Sequence, residues 1–197
     1  MKLFLHICCA PCALFPYYRL KEEGFDTTGF FYNPNIHPYQ EYRRRLETVK
    51  EFSTRVGFDV VYRDSYDLDH FFLRVAGKGH FRCEQCYRVR LEAAGAAAKE
   101  NGATAFTTSL LYSKYQQHDL IAEIGKETAT EYGIEFYYED FRRGWKEGIT
   151  ESKAMGLYRQ QYCGCIYSER DRYASMVDKQ QIVDTDRKIS ERINTQI

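Results

Sequence analysis

No stretch of the 197 residues approaches the roughly 18 consecutive apolar residues that a membrane-spanning helix needs. Lys2 is followed by only a short apolar block, Leu3 to Ile7, which is too brief for the hydrophobic region of a secretory leader. Net charge is missing as well. The 28 Lys and Arg residues balance 28 Asp and Glu, so whole-chain electrostatics give no pull toward nucleic acid, and any such site must come from local clustering. Neither an internal repeat nor a linker interrupts the chain. These absences lead to the expectation of a cytoplasmic protein with no membrane association. A single α/β domain over residues 1–178 should carry the fold, followed by a polar C-terminal tail over residues 179–197 that frays beyond Lys179.

Cysteine, by contrast, is plentiful: seven residues in three tight groups. In a reducing compartment such groups read as metal-binding or redox-active rather than as a disulfide framework. The first group ends the apolar run Leu3-Phe4-Leu5-His6-Ile7 with Cys8-Cys9-Ala10-Pro11-Cys12. A short apolar block closed by a proline reads as a buried strand, and Pro11 suits the first position of a helix, where its missing N–H costs nothing. Three thiols then lie at the carboxyl end of a strand and the start of a helix. That is where ligands bind in open α/β sheets, and where the helix dipole favours thiolate.

The remaining elements follow from periodicity and punctuation. A helix should run to about Glu23, and strands should cover Asp26–Tyr32, Phe58–Tyr62, Thr104–Thr108 and Ile134–Tyr138. Helices are expected over Tyr39–Val56, Asp67–Val75, Cys83–Asn101, Gln116–Tyr132, Lys146–Met155 and Ser168–Asp178. Alternating strands and helices imply a mostly parallel, five-stranded, doubly wound α/β sheet with helices on both faces.

Cys83-Glu84-Gln85-Cys86 opens a helix, so its two thiolates can point at one metal. With Cys8, Cys9 and Cys12 this makes five thiolates at one end of the sheet. Tetrahedral zinc and an iron–sulfur cubane each need about four, and residue types alone do not choose between them. Neighbouring side chains on extended backbone diverge, so Cys8 and Cys9 are not expected to face one point without a bent backbone, and one of Cys8, Cys9 and Cys12 is free to hold a separate species such as a lone iron. Cys163-Gly164-Cys165 differs in kind: a strained, redox-active disulfide, a pair of free thiols and two further metal ligands all suit it.

Several motifs in order, CCAPC, NPNIHPxxEYxxR (from Asn33), RCxxCYxxRL (Arg82 to Leu91), TTSLLYSKYQQH (Thr107 to His118) and GLYRQQYCGCIYS (Gly156 to Ser168), resemble the QueH-type epoxyqueuosine reductases. The resemblance runs from Leu3 to about Met176. It implies a nucleotide α-hydrolase-like (Rossmann-like) fold and an iron–sulfur oxidoreductase without cobalamin that deoxygenates epoxyqueuosine at the tRNA wobble position. It further implies a 4Fe-4S cluster on Cys8, Cys9, Cys83 and Cys86, and a redox-active disulfide between Cys163 and Cys165. Cys12 becomes the candidate for a further metal contact or an additional mononuclear iron. No SGG-type phosphate loop follows the first strand, which argues against ATP use.

Converting an epoxide to an alkene consumes two electrons and two protons. It calls for an unidentified electron donor, a Lewis acid on the oxygen and a proton donor. His6, His37, His118, Tyr112 and Tyr115 are the candidate donors, with His6 expected to be a hydrogen-bonded core residue. For the tRNA, Arg142, Arg143, Lys146 and Trp145 after the fifth strand are candidates, together with Arg159, Arg170 and Arg172 and the run Arg43-Arg44-Arg45. The 17 Tyr and 13 Phe are expected mainly in the core, the exposed ones being available to stack bases. Two other readings are a zinc-stapled RNA-binding module, which predicts zinc and no colour, and a protein thiol–disulfide oxidoreductase, for which the first two cysteine groups are dispensable.

Overall fold

A computed structural model describes residues 1–195. Five strands form one all-parallel sheet in the order β3-β2-β1-β4-β5. The strands are β1 (Lys2–Ile7), β2 (Asp26–Phe31), β3 (Val60–Tyr62), β4 (Ala105–Thr108) and β5 (Glu135–Phe136). Central β1 is buried from Leu3 to Ile7, because both sheet faces are covered by helices. It pairs with β2 from Lys2↔Asp26 to Ile7↔Phe31 and with β4 from Leu3↔Ala105 to His6↔Thr108.

The helices are α1 (Ala10–Glu22), α2 (Tyr39–Val56), α3 (Leu68–Val75), α4 (Arg82–Glu100), α5 (His118–Tyr132), α6 (Trp145–Ala154), α7 (Ile166–Tyr173) and α8 (Met176–Thr195). Helix α1 packs against α2 and α6, while α4 packs against α3 and α5. None of the described helices is long and apolar enough to cross a membrane. Since β1 is flanked by β2 on one side and β4 on the other, the order of connections reverses at β1. The carboxyl ends of β1 and β4 therefore open onto the crevice where such sheets bind ligands.

Three expectations change. Strand β5 is only Glu135–Phe136, paired with Ala105 and Phe106 of β4; the Tyr137 N–H still reaches the Phe106 carbonyl, but the chain then leaves the sheet edge, although β4 continues to Thr108. The single helix expected over Ser168–Asp178 is two, α7 and α8. The break lies at Ser175, whose hydroxyl caps the Asp178 N–H while the Asp178 carboxylate takes the Ser175 N–H, as in a capping box. The segment expected to fray carries most of α8. Arg82 at the start of α4 binds Asp171 of α7 at 2.9 Å and Asp186 of α8 at 2.5 Å, which ties this helix to the body.

Candidate functional site

The first wall of the site is the turn after β1. The Asn33 side-chain amide donates to the Ile7 carbonyl at 2.8 Å, fixing the end of the strand. The Cys8 N–H donates to Ser109 Oγ at 3.0 Å, and that hydroxyl lies 3.3 Å from Cys8 Sγ, so the end of β4 anchors the first cysteine. Cys9 is the extended residue before α1 (φ −168°, ψ 161°), and the chain bends at Cys8. This bend brings Cys8 Sγ within 3.8 Å of Cys9 Sγ, and the sulfurs of Cys8, Cys9 and Cys12 all lie within 4.8 Å of one another. The bent backbone that Cys8 and Cys9 need in order to face one point is thus present, because the strand has already ended where they sit.

Sulfurs this close share protons. Hydrogen bonds from Cys12 and Cys9 hold the Cys8 thiol well below the usual thiol range, helped by the Arg90 charge and Ser109. Burial pushes Cys9 up, and the bonds it gives to Cys8 and Cys9 push Cys12 up. The three thiols therefore titrate as one coupled group in which negative charge is favoured on Cys8. Gln160 Nε2 donates to Cys12 Sγ at 3.2 Å.

The second wall is the start of α4. Burial raises the Cys83 thiol to about 11, with Arg82 opposing and the Cys165 and Cys163 sulfurs adding to the rise. Burial likewise raises Cys86, with Arg90 opposing and the same two sulfurs contributing. Cys165 packs against the apolar cluster of Phe71, Val75 and Cys86.

The third wall is the loop Cys163-Gly164-Cys165. Arg45 Nη1 and Nη2 donate to the Cys163 and Tyr162 carbonyls at 2.7 and 3.0 Å, while its Nε binds Glu41 at 2.7 Å. The His37 N–H donates to the Gly164 carbonyl at 2.8 Å, and the Tyr162 hydroxyl donates to the His37 carbonyl at 2.5 Å. Gly164 has φ +155°, and a Cβ there would sit 3.0 Å from Asn35 Nδ2 and 3.4 Å from Arg45 Nη1. Both the backbone and the close approach therefore require glycine. Cys165 precedes α7, and its sulfur accepts the Ser168 N–H at 3.4 Å. All seven cysteines are free thiols, and Cys163 is the exposed one.

One residue faces all three walls. Arg90 is 1% exposed, and its Nη2 donates to Asn33 Oδ1 at 3.0 Å. Burial opposes its charge, and the ionisable groups that favour that charge are Cys86 first, then Cys8 and Cys163. Arg90 Nε has no hydrogen-bond partner among the described residues. Seven thiols, a buried cation and an orphaned donor are a donor set suited to an anionic metal–thiolate group.

The candidate proton donors sort themselves by position. His6 is a core residue, as expected: Nδ1 is 2.9 Å from Thr108 Oγ1, Nε2 is 3.3 Å from the Tyr32 carbonyl, and burial lowers its pKa to about 3. His37 is 3% exposed among Phe71, Phe72 and Tyr66, and burial lowers it to about 4. His118 opens α5 with Nε2 3.2 Å from the Ser113 carbonyl, and burial lowers it too. Tyr115 is 77% exposed and meets Trp145 edge-on. Tyr112 is buried and donates to the Trp145 carbonyl at 3.1 Å. Its phenol is pushed up by burial first, then by Cys12 and Cys9, and its ring stacks on Phe15 of α1, the helix that opens at the first cysteine group, with centroids 6.3 Å apart.

The candidate RNA contacts divide likewise. Arg142 Nε and Nη2 grip Asp140 at 2.7 and 2.6 Å, and Arg143 pairs with Glu139, so both guanidinium groups have carboxylate partners. In the run Arg43-Arg44-Arg45, the first pairs with Asp64 and Glu47, the second lies 4.5 Å over the Tyr158 ring, and the third is buried. Arg170 pairs with Asp171. Half-buried Trp145 stacks on Tyr112 with ring centroids 5.2 Å apart, and Lys114 lies over both Trp145 and Tyr115. Half-buried Arg159 reaches Tyr112 electrostatically.

Sequence reasoning missed Arg90, Ser109, Gln160 and Gln116, whose Nε2 lies 3.4 Å from Cys163 Sγ, and it read Arg45 as an RNA contact rather than as a brace of the Cys163 loop. All five lie inside the motifs quoted above, so the signal was present, but which polar residue of a motif turns toward the cysteine loops is decided by tertiary packing.

A family model described as Epoxyqueuosine reductase QueH matches residues 3–171. Proteins named Epoxyqueuosine reductase QueH are similar over most of their lengths. That of Dehalococcoides mccartyi is 37% identical over 172 residues, covering 87% of this chain and 94% of the relative. That of Thermotoga maritima is 34% identical over 189 residues, covering 90% and 96%. That of Acinetobacter baylyi is 38% identical over 180 residues, covering 86% and 81%.

Proposed function

The chain belongs to the QueH family of epoxyqueuosine reductases, and from that membership we propose that it deoxygenates epoxyqueuosine at the wobble position of tRNA, in the cytoplasm, with an iron–sulfur cofactor and no cobalamin. The observation that carries the cofactor is the convergence of Cys8, Cys9 and Cys12 within 4.8 Å at the topological switch point. Cys8, Cys9, Cys83 and Cys86 are the ligands of a 4Fe-4S cluster, and Cys12 contacts an additional iron. When bound, such a group delivers single electrons and offers a Lewis acid to the epoxide oxygen.

The remaining work falls to the chain's own residues. Two electrons and two protons convert the epoxide to an alkene and water. Cys163 and Cys165 supply or relay electron pairs as a dithiol that closes to a disulfide, refilled by an external donor. Tyr112, beside Cys9 and Cys12, is better placed than Tyr115 to hand a proton to the oxygen. The neutral, buried imidazoles of His37 and His118 serve in support of the loop and helix that carry them. Trp145, Tyr115 and Lys114 offer a stacking face for unpaired bases, and Arg159, together with Arg142 and Arg143 where these leave their carboxylates, meets phosphate. A second ligand set is favoured by one observation: Cys163 and Cys165 are electrostatic neighbours of both Cys83 and Cys86. In that set these four hold the cluster and Cys8, Cys9 and Cys12 hold the separate iron.

Anaerobically purified protein is expected to be brown, with four to five irons and about four sulfides per chain, and to convert epoxyqueuosine in tRNA to queuosine with a chemical reductant. Cys12→Ser should lose about one iron while keeping sulfide, and Cys163→Ser should keep both. Loss of sulfide in Cys163→Ser selects the second ligand set. About one zinc per chain, with no sulfide even after reconstitution, overturns the iron–sulfur reading.

A further inference from the structure

The backbone of the Cys163-Gly164-Cys165 loop is fixed by Arg45 and His37, but its sulfurs are held separately. Cys165 Sγ accepts the Ser168 N–H, and Cys163 Sγ accepts from Gln116 Nε2 at 3.4 Å. Which end of the Gln116 amide meets the sulfur is settled one residue further back. Tyr87 follows Cys86 on α4 and is 3% exposed, and its hydroxyl accepts the Gln117 N–H at 3.3 Å. A backbone N–H only donates, so the proton of the phenol is left for another partner, and it goes to Gln116 Oε1 at 2.8 Å. With its carbonyl end taken, Gln116 turns to Cys163 the end that only donates. The same loop, residues 113–117, carries Lys114 and Tyr115 against Trp145 on the stacking face. Gln116 is thus the next residue after that face, and it touches the exposed thiol of the pair.

We propose that Gln116 is a positioning residue that holds the Cys163 sulfur in place for the electron-pair step, with Tyr87 orienting its amide. The inference rests on the reading of Cys163 and Cys165 as a redox dithiol. When that pair closes, both S–H bonds are lost and one S–S bond forms. Two electrons and two protons leave, the number that the epoxide consumes as its C–O bonds break and water departs. A cysteine side chain samples several staggered rotamers, and a hydrogen bond on the sulfur selects among them. Holding reacting atoms in one orientation acts on the rate of a step and not on the binding of a distant part of the substrate.

The test compares Gln116→Met, unbranched and of similar length but without a donor, with Tyr87→Phe, which keeps the donor and removes the bonds that orient it. With a chemical reductant and tRNA carrying epoxyqueuosine, Gln116→Met should lower kcat about fivefold to tenfold and Tyr87→Phe about twofold. The KM for the tRNA should stay within about twofold in both. A residue that merely pinned the loop would give the opposite order, since Tyr87→Phe loses the bond to Gln117 as well as the bond to Gln116. A second readout is NMR of the Gln116 side-chain amide in the isotope-labelled full chain free of metal, where no paramagnetic ion broadens the signals. Cys163→Ala should shift one amide proton more than the other and speed its exchange with water severalfold. An unmoved amide overturns the proposal. So does a kcat in Tyr87→Phe at or below that of Gln116→Met, or a change confined to KM, which would make Gln116 an RNA contact. If the unaltered protein converts no epoxyqueuosine, the proposed activity fails, and the amide signals still decide whether Gln116 holds Cys163.

Discussion

The imidazole of His37 stacks on Phe72 with centroids 5.2 Å apart and ring planes 16° from parallel, and neither ring nitrogen has a hydrogen-bond partner among the described residues. Burial holds it neutral by lowering its pKa to about 4, with the Pro34 backbone as a weaker opposing influence. In the unfolded chain the same group titrates near 6.5. Between these values the unfolded state binds the extra proton, so stability falls as the pH drops, and the contribution is complete above 6.5. From pH 7 to pH 5 this one residue should cost about 2 kcal/mol of stability. His37→Phe keeps an aromatic ring in the pocket without the proton. Urea unfolding at the two pH values should therefore show about 2 kcal/mol less pH dependence in the variant. Equal dependence in both proteins would show that His37 is not neutralised by burial. The residue thus serves as a support: its N–H and carbonyl hold Gly164 and Tyr162, and its ring anchors them in the aromatic pocket.

At the scale of elements, α8 is the part of the chain that the family resemblance does not reach, since the match ends at residue 171. It packs against residues 79–81, and Arg82, which is 15% exposed, binds Asp186 of α8 and Asp171 of α7. A partly exposed ion pair contributes little to global stability, on the order of 1 kcal/mol, but it can decide whether a terminal helix stays docked. Asp186→Asn should therefore speed proteolytic cleavage near Ala174 and Ser175 severalfold while moving the urea midpoint of the whole protein only slightly. A large drop in that midpoint would instead make α8 part of the cooperative core. The elements themselves were largely legible: α2 matches its expected bounds because a strong 3.6-residue pattern is closed by Gly57 in the left-handed region, which a helix end favours. What was not legible depended on partners distant in sequence. The convergence of Cys8 with Cys9 is set by a bend that Ser109, 101 residues away, holds in place.

For the molecule as a whole, the sequence located the crevice through its cysteine motifs and the fold class, but not the charge state of the side chains around it. Arg142 and Arg143 look like a phosphate clamp in the sequence, yet their neighbours Asp140 and Glu139 occupy them. The cations near the stacking face of Tyr112, Tyr115 and Trp145 with no carboxylate partner among the described residues are Lys114, Lys146 and Arg159. Three phosphate contacts to single-stranded RNA release few counterions, and the logarithm of the binding constant should fall with the logarithm of salt concentration at a slope of about −2. Affinity must then come largely from stacking, at about 1–3 kcal/mol per base, which is indifferent to salt. Binding of a tRNA anticodon stem-loop between 50 and 200 mM salt, at about those two limits, measures this directly. In Trp145→Ala the intercept should drop while the slope holds. A slope of about −3.5 in the unaltered protein would mean that Arg142 and Arg143 abandon their carboxylates for the RNA, making the interface electrostatic despite the chain's balanced charge.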